Sequence, residues 1–135
     1  MIIKQISIFV ENRKGRLADI LKIIYDNNIN IRAISVADTT NFGILRIIVE
    51  DPDKTKIILR ENNITASITN VIAVNTKDQP GGLYEVLKLL AENDISIEYL
   101  YHMIVEPEKG RACIIMRVEN ELETRIDALF EANGY

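Results

Sequence analysis

Residues 12–35, NRKGRLADILKIIYDNNINIRAIS, lie over residues 78–101, DQPGGLYEVLKLLAENDISIEYLY, when the chain is slid along itself by 66 positions. Seven of the 24 aligned positions are identical: Gly15/Gly81, Leu17/Leu83, Leu21/Leu87, Lys22/Lys88, Asn27/Asn93, Ile29/Ile95 and Ile31/Ile97. Ordinary residue frequencies would give about two matches. Most other positions exchange like for like, as at Asp19/Glu85, Ile20/Val86 and Ile24/Leu90. The chain is a duplication, so one structural unit must be read twice.

Each copy opens with a strand. Ile2, Ile6, Ile8 and Val10 have the alternating spacing of a half-buried strand, and Val71 to Asn75 is its counterpart. A helix follows, with apolar residues at i, i+3, i+4 and i+7: Leu17, Ile20, Leu21, Ile24, then Leu83, Val86, Leu87, Leu90. One stripe per helix covers one sheet face. Asn27-Asn28 and Asn93-Asp94 favour turn conformations and stop these helices. Second strands are expected over Ile29 to Val36 and Ile95 to Ile104, and third strands over Ile44 to Val49 and Arg111 to Val118, with Gly43 and Gly110 at the turns. Asp51-Pro52-Asp53 opens a second helix in the first copy. Ile126, Leu129 and Phe130 give the matching stripe in the second, and Ile64 to Asn70 closes the first copy as a strand.

The order β, α, β, β, α, β, with right-handed crossovers, gives a four-stranded antiparallel sheet with both helices on one face. The expected class is α+β, with two ferredoxin-like units at residues 1–70 and 71–135. The second lacks its last strand: it reaches Asn133-Gly134-Tyr135 where the first runs from Asn62-Asn63-Ile64 into its closing strand. Either that sheet has three strands of its own or another segment completes it.

Of the 135 residues 47% are apolar, enough for a packed core, and the 27% that are charged mix both signs. A net charge of −4 leaves no basic stripe to neutralise phosphates, so no nucleic-acid partner is expected. No apolar run reaches the roughly 18 residues that span a bilayer, so no membrane association is expected and a cytoplasmic location is. The single cysteine, Cys113, cannot form an internal disulfide and reads as a buried structural thiol.

The segment with chemical potential is the junction of first strand and first helix: Asn12-Arg13-Lys14-Gly15-Arg16-Leu17 and Asp78-Gln79-Pro80-Gly81-Gly82-Leu83, both [DN]-x-x-G-x-L. Gly at a helix start lets backbone approach a ligand, and first-turn amides with the helix dipole favour a carboxylate. Asn12 or Asp78 would accept a hydrogen bond from an ammonium group, so the loop complements an α-amino acid. The same residues also read as a plain helix N-cap.

These junctions resemble the ACT domains, amino-acid-sensing modules whose hallmark here is D-x-P-G-x-L. Asp78, Pro80, Gly81 and Leu83 match it fully; Asn12, Gly15 and Leu17 match with Asn for Asp, and Lys14 replaces the proline. The likeness spans essentially the whole chain, which resembles a stand-alone tandem ACT protein that regulates amino-acid metabolism. It implies a free amino acid held between the loop of one unit and the second strand of a neighbour, at Val36, Ala37 and Asp38 in the first copy and Tyr101, His102 and Met103 in the second. An apolar, aromatic or histidine-like side chain is the expected ligand class. His102, the only histidine, is either a half-buried strand residue or a ligand contact titrating near neutrality. Tyr99, Tyr101 and His102 form an aromatic wall or are simply good strand formers.

No catalytic residue, metal ligand or cofactor is expected. The only His and only Cys lie eleven positions apart on separate expected strands, and no nucleophile elbow or P-loop pattern occurs. Arg13 and Arg16 beside Gly15 are the nearest imitation of a phosphate loop, and the second copy lacks both. The alternative to a sensor is an interaction scaffold or a regulatory subunit of an enzyme. A strand order of 4-1-3-2 leaves second strands at sheet edges. Joining both edges within one chain would set the strand at 64–70 about 29 Å from the strand at 71–76, at roughly 4.8 Å per strand. At least about nine linker residues are needed to span that. The expectation is therefore a homodimer paired through strand-two edges, or through exchanged strands.

Overall fold

A computed structural model describes residues 1–135 except Thr39, Thr40, Ile104, Glu106 and Asn120 and the side chains of Asp38 and Pro107. The elements are β1 (Ile2–Glu11), α1 (Arg16–Asp26), β2 (Ile31–Asp38), β3 (Phe42–Val49), α2 (Pro52–Glu61), β4 (Ala66–Lys77), α3 (Gly82–Glu92), β5 (Ile97–Met103), β6 (Arg111–Val118) and α4 (Glu123–Ala132). A single 3₁₀ turn, Pro107–Lys109, precedes β6. The end of the strand expected at Ile104 lies outside the described residues.

All four helices stop by one device. Asn27, Asn62, Asn93 and Asn133 each donate a side-chain hydrogen bond to the carbonyl four residues back, at 2.8–2.9 Å. The residue after each, Asn28, Asn63, Asp94 or Gly134, has φ between 56° and 83°, the left-handed exit that Asn, Asp and Gly tolerate. At the start of α2, Asp51 accepts a hydrogen bond from the Lys54 amide at 3.1 Å with Pro52 in the first turn, as its sequence indicates.

One expectation needs correcting. The closing strand of the first copy and the opening strand of the second, read as separate strands, are one continuous strand, β4. Asn70, where the first of the two was expected to end, lies within β4, and its carbonyl accepts a 2.6 Å hydrogen bond from the Arg117 guanidinium. That donor stands 47 positions away in sequence.

The chain divides into two compact units, Lys4–Thr69 and Met1–Ile3 with Asn70–Tyr135. In Lys4–Thr69 the strand order is β2-β3-β1 with the beginning of β4 beside β1; β1 and β2 both run antiparallel to β3, setting Ile6 opposite Ile47 and Ile34 opposite Ile47. Its core gathers Ile6, Ile8 and Val10 of β1, Ile20 and Ile24 of α1, Leu45, Ile47 and Val49 of β3, and Leu59 of α2.

In the other unit the rest of β4 and then β5 flank β6, both antiparallel to it. The matching core holds Ile72, Val74, Val86, Leu90, Ile114, Met116, Ile126 and Phe130. The residues that complete this sheet come from the start of the chain. Met1 and Ala73 exchange backbone hydrogen bonds at 2.8 and 3.0 Å, the reciprocal pattern of an antiparallel pair. The Met1 ammonium also meets Asp127 of α4 at 2.5 Å. Met1–Ile3 thus takes the fourth-strand place, and each unit has the 4-1-3-2 order of a ferredoxin-like sheet. Cys113 is buried.

Candidate functional site

The two strand-to-helix loops are built alike, bond for bond. Arg13 N–H donates to Glu11 O and Gln79 N–H to Lys77 O, at 2.7 and 3.0 Å; Arg16 N–H to Arg13 O and Gly82 N–H to Gln79 O, at 3.1 and 3.0 Å; Asp19 N–H to Gly15 O and Glu85 N–H to Gly81 O, both at 3.0 Å. Each loop is tied to the hairpin turn beside it, by Asn12 N–H to Asn41 O at 3.3 Å and Asp78 N–H to Gly110 O at 2.9 Å.

The helix caps are the glycines. Gly15 (φ 83°) and Gly81 (φ 87°) occupy the N-cap positions of α1 and α3, and no side chain caps either helix. The N-cap reading of Asn12 and Asp78 is therefore wrong: both stand three residues ahead of the cap and are exposed. Their polar side chains are left to solvent or a ligand.

The copies differ in how the helix start meets the sheet. Gly82 is buried, and the Thr76 hydroxyl donates to its carbonyl at 2.9 Å. The aligned positions in the first copy hold Arg16, half-buried, and Val10, buried. There a cavity of about 170 Å³ opens, lined by Val10, Glu11, Asn12, Arg13, Leu17, Val36 and Gly43. It joins the first-copy loop to β2, bringing together the expected site residues Asn12, Arg13, Leu17 and Val36. Lys14, Gly15, Arg16 and Ala37 do not line it, and the Asp38 side chain lies outside the described residues. Glu11 lines the cavity although the sequence reading passed over it. The signal was the aligned residue in the second copy, Lys77, of opposite charge.

In the second copy Gln79 and Pro80 are exposed with Asp78, and Leu83 is half-buried. On β5, Tyr101 is buried, Met103 half-buried and His102 exposed, so the half-buried reading of His102 is corrected. Tyr99 and Tyr101 stack with ring centroids 6.5 Å apart. His102 follows Tyr101 directly and so points to the opposite sheet face. The aromatic wall thus loses its third member.

Among the described residues no group of three or more His, Cys, Asp or Glu side chains could hold a metal ion, and no helix is long and apolar enough to cross a membrane.

Comparison with known families matches residues 1–133 to the family described as the ACT domain pair. Comparison with curated proteins finds no match. Among solved structures, a protein from Bacteroides thetaiotaomicron is 34% identical with a TM-score of 0.88, over 98% of this chain and 89% of that one. The regulatory subunit of aspartate kinase from Thermus thermophilus, in its ligand-free form, is similar at 11% identity and TM-score 0.66, over 100% of this chain and 96% of that one. Aspartokinase III of E. coli, in complex with lysine and aspartate, is similar at 15% identity and TM-score 0.55, over 98% of this chain and 32% of that one.

Proposed function

We propose a function from one secure premise: the chain belongs to the ACT domain pair family and has its regulatory fold. It is an amino-acid-binding regulatory protein of the cytoplasm, without catalysis of its own, whose ligand binds at the strand-to-helix loops and alters how it engages the amino-acid metabolism it controls. The observation that carries this is the cavity of about 170 Å³ joining Asn12, Arg13 and Leu17 to Val36 of β2. It is smaller than the roughly 300–1,000 Å³ of drug-sized sites, in keeping with a ligand the size of an amino acid. The left-handed glycine at each helix start, with no side-chain cap, leaves Asn12 and Asp78 available to a ligand.

The same reading includes a homodimer. β2 stands last in its strand order and exposes Ile34 at 44% and Val36 at 48%, apolar surface on an open edge that a second copy would cover. A strictly monomeric particle in sedimentation would overturn that part.

The test of ligand binding is thermal unfolding of the whole chain against the twenty amino acids singly. A ligand bound only by the folded state adds about 2.7 kcal/mol at 100 times its dissociation constant. A rise with one amino acid or a related group supports the sensor. No rise with any replaces it with the interaction scaffold.

A further inference from the structure

We propose that the cavity of the Lys4–Thr69 unit takes a dicarboxylic amino acid, with Glu11 receiving its ammonium group and Arg13 one of its carboxylates. This rests on the ligand-binding reading above and names the ligand class.

The cavity is lined by one acid and one cation, Glu11 and Arg13. Their closest approach is 3.9 Å, and the side chains are 63% and 60% exposed. A pair so long and so wet does little for the fold. It keeps unused lone pairs on the carboxylate and unused forked N–H groups on the guanidinium. Val10, Leu17 and Val36 supply the apolar wall beside them.

Alignment of the two loops shows that the charges were rearranged between the copies. Glu11, Asn12, Arg13, Lys14 and Arg16 correspond to Lys77, Asp78, Gln79, Pro80 and Gly82. The acid of the first copy, Glu11, stands one residue ahead of Asn12, the position that aligns with the acid Asp78 of the second. Residues 11–17 carry three cations and one acid, a sum of +2, while residues 77–83 carry one of each, a sum of 0. A neutral zwitterion needs only one cation. Lys14 and Arg16 are surplus to it, and with the amino end of α1 they favour a second negative charge.

Isothermal titration of the whole chain with aspartate, glutamate, asparagine and glutamine tests this, with Asp78→Ala as a background that silences the second loop. A dicarboxylate should bind about tenfold or more tighter than its amide, the scale of a charge-assisted hydrogen bond, and high salt should narrow the gap. Lys14→Gln with Arg16→Gln should abolish that preference, and Arg13→Gln and Glu11→Gln should each weaken acid and amide together, all at unchanged unfolding temperature. Amides binding as tightly as acids, or an unaltered affinity in Glu11→Gln, would overturn the assignment while leaving the sensor standing. No binding by any of the twenty amino acids would end both.

Discussion

A Cβ on residue 82 would stand 2.1 Å from the Lys77 carbonyl oxygen, so the amino end of α3 rests against the end of β4 at a distance only glycine permits. Its neighbour Gly81 has open space around it and is constrained only by its left-handed φ of 87°. Gly82→Ala should therefore cost about 3 kcal/mol, the upper range for overpacking, and Gly81→Ala only about 1 kcal/mol. Urea unfolding of the two variants checks the order; equal losses would contradict the close approach.

Asp78 and Asp51 look alike in sequence as acids just before a helix. Only Asp51 bonds to a helix amide, that of Lys54, so Asp51→Ala should lose about 1 kcal/mol. Asp78→Ala should stay within about 0.5 kcal/mol of the parent. Its expected defect is in ligand response instead: the amino-acid-induced rise in unfolding temperature from the second loop should disappear, and it should disappear in Gly81→Val as well.

Arg117 is 11% exposed and its guanidinium meets the Asn70 carbonyl at 2.6 Å and Glu123 at 2.7 Å. Truncation to Ala would leave a half-buried carboxylate and a strand carbonyl without this donor, at a cost of about 2–4 kcal/mol. A double-mutant cycle with Glu123→Ala should return a coupling above about 0.5 kcal/mol; strict additivity would show that the pair does not act together.

Asn63 and Asp94 hold the left-handed exits of α2 and α3 at φ 61° and 57°. Glycine is relieved of the Cβ clash there, so Asn63→Gly and Asp94→Gly should each raise the unfolding free energy by about 0.5 kcal/mol, and the Ala variants should lower it by about 1 kcal/mol. Calorimetric melting of the four variants gives the signs.

The parts of this fold legible in the sequence were those fixed by neighbours in sequence. Leu17, Ile20, Leu21 and Ile24 mark α1, Asp51-Pro52 marks the start of α2, and the paired Asn residues mark helix ends, because period and capping act over a few positions. What was not legible depends on distant partners. Nothing near Asn70, whose carbonyl the Arg117 guanidinium meets, says that the strand expected to end there runs on through Val71, and nothing in Met1-Ile2-Ile3 says that it will lie beside Ala73. At the candidate site the loop residues were readable from the repeated motif, and Val36 only from what the resemblance to ACT domains implies. Glu11 was passed over, since an acid at a strand end is ordinarily solvated and only the cavity gives it a role. Asn12 and Asp78 were misread as possible caps, because the left-handed turn at Gly15 and Gly81 moves the helix start three residues further on.

The pairing of Met1 with Ala73 spans 72 positions, and this sets an order of events during synthesis. Residues 1–3 leave the ribosome before their partner strand has been translated, several seconds earlier at about 5–20 residues per second. Until β4 emerges, Met1, Ile2 and Ile3 lack the strand they pair with, an unpaired stretch of apolar backbone open to other strands.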